Sequence, residues 1–322
     1  MSGEFDIKKA LAEQANQTKG LNKDEWGASH LKDSKIFAML KEVKMCIDPF
    51  PYELQNLHNE RVSKFFEGAG NLGTVTIIGL GGGGEIALHM LRSGVVSLNL
   101  IDCDILDPGN LVRHICGNNH ILKNKAEAVK SVLDEYSGWH QDSIKAFSWN
   151  IFDEHKQFDD IIASSDAVVV ATDNDSSKFY ANEVCKKYDV PSIFVGMYED
   201  GCGGEVFTSL PNYGCYECAT HFQGRIDYLT SYMESASKKD CSSKRDAKAM
   251  PGLGIDQSFL CAIAARKCLD ILVSKSGGKS LPPVGKNLII WSLFGIPGIT
   301  DSHLSSIHLT IEKHPNCSLC NP

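Results

Sequence analysis

Four cysteines form two CxxC pairs, Cys215/Cys218 and Cys317/Cys320, separated by about 100 residues, a pattern that fits a tetrahedral zinc site. Each pair offers two thiolates from one turn, and four thiolates close such a site to water, which makes it structural. Upstream, Gly79-Leu80-Gly81-Gly82-Gly83-Gly84 matches GxGxxG. Glycines there permit a tight turn and let a phosphate approach backbone N–H groups at a helix N-terminus. Asp102-Cys103-Asp104 follows. A carboxylate about 20 residues past such a loop accepts hydrogen bonds from ribose hydroxyls. Asn110, Arg113 and Lys125 come next, three polar groups suited to converge on a polyphosphate. Ala171-Thr172-Asp173-Asn174 ends an apolar run. Asp173 suits Mg²⁺, which takes carboxylate, phosphate and water oxygens.

Elements with two different periods must position these groups. Thr74–Ile78, Val95–Ile101, Ile144–Ser148, Asp166–Ala171 and Pro191–Val195 are short apolar runs that read as buried strands. Helices are expected over Glu85–Arg92, over Lys123–Tyr136 with Ala126, Val129 and Leu133 on one side, and around Ser176–Tyr188. Strands alternating with helices imply an α/β, Rossmann-like, mostly parallel sheet with helices on both faces. The last third differs. Gly203–Leu210 reads as a strand, and Asp256–Val273 as a helix with Phe259, Ile263, Leu269 and Leu272 on its apolar face. Asn287–Leu293 and Ser306–Ile311 read as C-terminal antiparallel strands. Residues 219–250 are polar and read as a mobile crossover loop. Residues 1–70 form a separate N-terminal segment with short helices, and residues 71–322 carry the motifs.

Bulk composition narrows the function classes. The 322 residues are 43% hydrophobic and 22% charged, enough apolar material for a full core. A net charge of −8 argues against general nucleic-acid binding, which needs a basic surface. No apolar run reaches the roughly 18 residues of a membrane span, and the N-terminus lacks a signal-peptide core. A cytoplasmic location is expected, where clustered thiols are metal ligands or nucleophiles rather than disulfides.

Taken in order, GLGGGG at 79–84, DCD at 102–104, NLVR at 110–113, Lys125, ATDN at 171–174, CYEC at 215–218 and CSLC at 317–320 resemble the MoeB/ThiF and ubiquitin-activating enzyme superfamily. The resemblance covers roughly residues 72–322. It implies an adenylyltransferase that uses ATP, Mg²⁺ and a structural zinc. Gly79, Gly81 and Gly84 would shape the nucleotide loop, and Asp102 would bind the ribose. Asn110 and Arg113 would contact the triphosphate, Lys125 the α-phosphate, and Asp173 the metal. The carboxylate of a ubiquitin-like protein, a sulfur-carrier protein or a precursor peptide would attack the α-phosphorus. A homodimer is expected, with a downstream conjugating enzyme as a further partner. The chain departs from the pattern at His114, where the family usually has glutamine, and Arg61 is a weak match for the family's N-terminal arginine. A silent partner subunit would not need Arg113, Lys125 and Asp173 together. An NAD-dependent oxidoreductase would not explain the four cysteines or the NLVR–Lys125–ATDN series.

In a ubiquitin-activating enzyme the acyl group passes on to a cysteine. Cys241, in KKDCSSKR, has cationic neighbours that favour its thiolate. It is the candidate for thioester formation, and adenylation without a thioester is the alternative. Cys202, in a glycine-rich turn, is a second candidate. Cys103 is disfavoured by its flanking aspartates, and Cys261 and Cys268 share one helix face and read as core.

Overall fold

The structure, a computed structural model, describes Phe66 and residues 72–95, 97–137, 143–198, 203–221, 253–279, 286–293 and 302–321. The chain divides into two compact units, Met1–Asn56 and Leu57–Pro322, and every described residue falls in the second. Arg61, Cys202, Cys241 and the 222–250 part of the crossover segment lie outside the described residues.

Eight strands form one sheet in the order β3-β2-β1-β4-β5-β6-β7-β8. They are β1 (Thr74–Ile78), β2 (Ser97–Ile101), β3 (Ile144–Phe147), β4 (Ala167–Val170), β5 (Ser192–Met197), β6 (Gly203–Ser209), β7 (Leu288–Ser292) and β8 (Ser305–Leu309). The first five run parallel, and β6, β7 and β8 add antiparallel to one edge. This is the expected architecture. The helices are α1 (Gly83–Arg92), α2 (Lys125–Ser137), α3 (His155–Ala163), α4 (Asp175–Lys187), α5 (Tyr216–Thr220) and α6 (Gly254–Lys275).

Strand side chains alternate between faces, so each apolar run feeds two cores. Val75, Ile77, Leu98, Leu100, Val169 and Ile193 pack with α1, α2 and α6. Ile78, Ile101, Val168, Val170, Phe194 and Phe207 pack with α3, α4 and α5. Burial on both sides is why these strands carry unbroken apolar runs.

Two helices lie where the sequence pattern predicts none. In α3, Phe158, Ile161 and Ile162 are buried at helical spacing, a stripe too short to stand out among polar neighbours. The short α5 carries the first CxxC pair. The inward face of α6 also differs from the expected one. Leu269 and Leu272 are buried, but so are Cys261, Ala264, Ala265 and Cys268, while Phe259 is 42% exposed and stacks on Trp291. The helix lies close against α1 and β5. Small side chains permit that approach, and a bulky residue serves better at the rim. Cys261 and Cys268 are core residues, as expected. No helix among the described residues is long and apolar enough to cross a membrane.

Candidate functional site

β1 has β2 on one side and β4 on the other, so the chain order reverses there. Open α/β sheets bind ligands at the carboxyl ends of the strands beside such a point. A cavity of about 810 Å³ opens there, lined among others by Gly79, Gly81, Asp102, Asp104, Asn110, Arg113, Lys125 and Asp173. These residues come from well-separated segments, and parallel crossovers bring them to one end of the sheet.

The glycines divide the work. Gly79 has φ +81°, and a Cβ on it would stand 2.9 Å from the Ala171 backbone. Only glycine turns the chain there without strain. Gly84 is turned away from the cavity, and a Cβ on it would press on Val129 at 3.1 Å. Its small size sets how closely α1 packs on α2. Gly81 has nothing within 4 Å of where its Cβ would be. A side chain at Gly81 therefore fits the fold but intrudes on the cavity. Gly81→Val is expected to weaken ATP binding by at least about tenfold, with stability changed by no more than about 0.5 kcal/mol. Parallel nucleotide titration and thermal melts check this, and unaltered ATP affinity would show that no phosphate passes the loop at Gly81.

Asp102 locks the loop to the next strand. Its Oδ2 accepts from the Leu80 N–H at 2.7 Å and its Oδ1 from the Asp104 N–H at 2.9 Å. Burial pushes its pKa up, against these two donors and nearby Lys125. A carboxylate has about four acceptor sites, so lone pairs remain for a ribose. Asn124, which no sequence motif marks, ties this corner together. Its Nδ2 donates to the Asp102 and Asp104 carbonyls, and its Oδ1 accepts from the Ala126 N–H at the start of α2. Lys125 follows at the start of α2 and lines the cavity, where its Nζ donates to Asp104 Oδ2 at 2.9 Å. Asp104 is largely exposed, so the pair is worth less than about 1 kcal/mol. An arriving phosphate can take the ammonium at little cost.

Asn110 and Arg113 sit on a 3₁₀ turn, Pro108–Val112, and just after it. The Asn110 Oδ1 accepts from the Asp107 N–H, which leaves the amide N–H₂ as the group it can offer a phosphate. Gln257 of α6 donates to the Arg113 carbonyl at 2.9 Å and holds the arginine backbone in place. His114 also lines the cavity. Burial, reinforced by the charge of Lys125, holds its pKa down at about 4. Its Nδ1 accepts from the Cys116 N–H, so the ring is neutral.

That shift has a stability consequence. Unfolded chains protonate this histidine as pH falls below the ordinary value of 6.5, while the folded chain resists until about 4. Stability present above pH 6.5 is therefore lost as pH falls through that window, by about 1 kcal/mol at pH 5 after allowing for solvent screening. His114→Gln should remove this part of the pH dependence in urea melts at pH 7 and pH 5. An unchanged pH dependence would contradict the burial argument.

Asp173 follows β4 and lies exposed at the cavity. Its neighbours shape the turn instead. The Asn174 side chain caps α4 by accepting from the Ser177 N–H at 2.8 Å, and the Ser177 hydroxyl donates to Thr172 Oγ1 at 2.6 Å. A hard dication suits the Asp173 carboxylate beside bound phosphates. Lys178, Glu205 and Tyr198 also line the cavity, and no sequence motif marks them. Lys178 falls on the same stripe of α4 as buried Ala181, Asn182 and Cys185, and a lysine on such a stripe was the available signal.

On the face of the sheet covered by α3, α4 and α5 the four expected cysteines converge. Cys215 Sγ lies 3.5 Å from Cys317 Sγ and 3.9 Å from Cys218 Sγ, and Cys218 Sγ lies 3.6 Å from Cys320 Sγ. Zinc at about 2.3 Å from each sulfur requires edges of about 3.8 Å, so the cluster fits that ion. The tail is guided in by Asn287, whose amide pairs with both the N–H and the carbonyl of Ile311. The His314 N–H donates to Cys218 Sγ at 3.3 Å, an outer contact of the kind that orients a thiolate. The remaining described cysteines give no activated thiol. Burial, then the charges of Asp104 and Asp102, raises the Cys103 pKa. Burial lifts Cys268 to about 12 and Cys116 to about 11.

The ordered motifs, their shared cavity and the four-cysteine cluster can be set beside known proteins. A family model described as the ThiF family matches residues 68–318. The chain belongs to the ThiF family. Over 157 residues it is 28% identical to a SAMP-activating enzyme E1 of Haloferax volcanii, a match spanning 47% of this chain and 56% of that protein. Over 202 residues it is 27% identical to a ubiquitin-like modifier-activating enzyme 5 of Oryza sativa subsp. japonica, spanning 58% of this chain and 46% of that protein. This ThiF-family chain therefore spans about half the length of these curated relatives. Its fold is similar to that of E. coli MccB solved with ATP, with a TM-score of 0.59 and 20% identity, covering 96% of this chain and 85% of that one.

Proposed function

We propose that this ThiF-family protein adenylates the C-terminal carboxylate of a peptide or small carrier protein, using Mg·ATP. The observation that carries the reading is the shared cavity into which Gly81, Asp102, Arg113, Lys125 and Asp173 all open. A nucleotide lies along the glycine loop, with its ribose at Asp102 and its phosphates toward Arg113, Asn110 and Lys125. Asp173 would hold the Mg²⁺, which would supply positive charge to the phosphates. An acceptor carboxylate oxygen bonds to the α-phosphorus while the bond to the bridging oxygen breaks, and pyrophosphate leaves with the electron pair. The protein supplies position and positive charge, and that step needs no protein nucleophile.

A peptide acceptor is supported by the likeness in fold, along almost the whole chain, to MccB, which has been solved with MccA. Cys215, Cys218, Cys317 and Cys320 would hold a structural zinc that fastens the tail. The protein acts as a homodimer, with residues 1–70 as a separate segment. A ubiquitin-like protein with thioester transfer to Cys241 is the second reading. The cationic context of that cysteine and the modifier-activating relatives favour it.

ATP–pyrophosphate exchange separates the readings. The protein is assayed against carboxylate-ended peptides and small Gly-Gly-ended proteins, as wild type and as Cys241→Ala, with non-reducing gels alongside. Exchange with no reducible adduct, unaltered in the cysteine variant, is expected. An adduct lost in Cys241→Ala would establish the thioester reading. ATP binding without exchange against every acceptor would contradict both.

A further inference from the structure

A buried lysine and a buried glutamate share one slot where β5 and β6 border the cavity. Lys178 is 8% exposed and Glu205 is 6% exposed, and both line the cavity. Lys178 enters from α4, and Glu205 stands on β6 opposite Gly196 of β5. Gly196 makes the slot. A Cβ on that residue would lie 3.3 Å from Lys178 Nζ and 3.8 Å from Glu205 Cγ. The Tyr198 hydroxyl donates to Glu205 Oε2 at 3.0 Å and fixes the carboxylate from two residues beyond Gly196. Buried charges are costly unless compensated, so a fold that keeps two of them on a cavity wall has a use for them or a strong packing reason.

The sheet order says which use. Arg113 and Lys125 reach the cavity from segments that follow β2, on one side of the glycine loop. Asp173 follows β4, and Lys178 lies over β5 and β6 on the opposite side. Among the described residues, Lys178 is the cation that lines this second half of the cavity. In-line displacement at phosphorus places nucleophile and leaving group on opposite sides. The cationic side chains assigned to the triphosphate occupy one side, which leaves the other open to the carboxylate, against the charge of the nucleotide.

Resting on the adenylation reading, we propose that Lys178 is the receptor for the acceptor's terminal carboxylate. Glu205 and Tyr198 are positioning residues that hold the ammonium over Gly196. Glu205 also limits the grip. The incoming carboxylate must share the ammonium with a second anion, and that repulsion falls when the acyl-adenylate forms and the acyl group loses its charge. Binding that is looser in the ground state than in the transition state favours turnover.

The test uses N-acetylglycylglycine, a carboxylate with no side chains, and its C-terminal amide as the uncharged control. Both are titrated by NMR into full-length protein saturated with Mg²⁺ and the α,β-methylene analogue of ATP, which cannot be cleaved at that bond. Lys178→Gln is expected to weaken binding of the acid by at least about tenfold and to leave the analogue's affinity within about twofold. Lys178→Arg should restore the acid to within about threefold of wild type. The amide should bind wild type as weakly as the acid binds Lys178→Gln.

Equal acid binding by wild type and Lys178→Gln would overturn the proposal, as would wild type that does not distinguish acid from amide. Loss of both ligands in Lys178→Gln, without recovery in Lys178→Arg, would make the cluster a structural ion pair and overturn it too. Wild type that fails to bind the ATP analogue would instead overturn the nucleotide reading beneath it.

Discussion

Replacing Asp173 by alanine should lower ATP–pyrophosphate exchange by at least about 100-fold and leave Tm within about 2 °C of wild type. The two halves of this expectation come from different atoms. Asp173 is exposed in the cavity. The turn around it is held by the Asn174 cap and the Thr172–Ser177 hydroxyl pair. Removing the carboxylate therefore costs the fold almost nothing. It removes the anionic anchor for a dication that must neutralise charge as pyrophosphate departs. Asp173→Asn should lose nearly as much, because its shape is retained and its charge is not. Exchange kinetics over a range of Mg²⁺ concentrations, with calorimetric melts of the same samples, test both halves. Near-normal exchange in either variant would place the metal elsewhere.

The second large effect concerns the four-cysteine cluster. Purified protein should carry one zinc, and Cys317→Ser or a chelator should destabilise it by at least about 3 kcal/mol, or roughly 6–12 °C in Tm. Cys317 is buried and lies 3.5 Å from Cys215, which ends a segment more than a hundred positions earlier. An ion bound there would close a long loop and hold the tail against α5. Gly214, just before the first pair, leaves no room for a Cβ beside the Glu312 carbonyl at 2.5 Å, so the two stretches of chain are in close backbone contact there. Burial raises the pKa of Cys215 and Cys317, whereas at Cys320 burial is outweighed by hydrogen bonds that hold it low. Metal analysis of wild type, Cys317→Ser and Cys103→Ser, each with a melt, checks the claim. Cys103 is exposed and outside the cluster, so its variant should keep both zinc and Tm. A metal-free wild type of normal stability would contradict it.

The strands were legible because a parallel sheet buried on both faces demands apolar runs such as DAVVVA at 166–171 and TVTII at 74–78, which polar loops interrupt sharply. The glycine loop and both CxxC pairs were legible because each needs fixed residue types at fixed spacing. α3 was hidden because its three buried residues are surrounded by His155, Lys156, Asp159 and Asp160. The inward face of α6 departs from expectation at Phe259 because close packing on α1 selects small residues, and hydrophobic patterning weights large ones. Asn124 and Glu205 are silent in the sequence for another reason. Their roles depend on what three-dimensional neighbours they meet: two carbonyls for Asn124, Gly196 and Tyr198 for Glu205. No spacing along the chain announces that.

The most direct test of the adenylation reading asks which bond of ATP is broken. Wild-type protein is incubated with Mg²⁺, ATP labelled at the α-phosphate and carboxylate-ended acceptors, and the nucleotide products are separated. Label in AMP or an acyl-adenylate, with pyrophosphate released in equal amount, is the expected result. Label in ADP with release of inorganic phosphate would place cleavage between the β and γ phosphates and contradict the account.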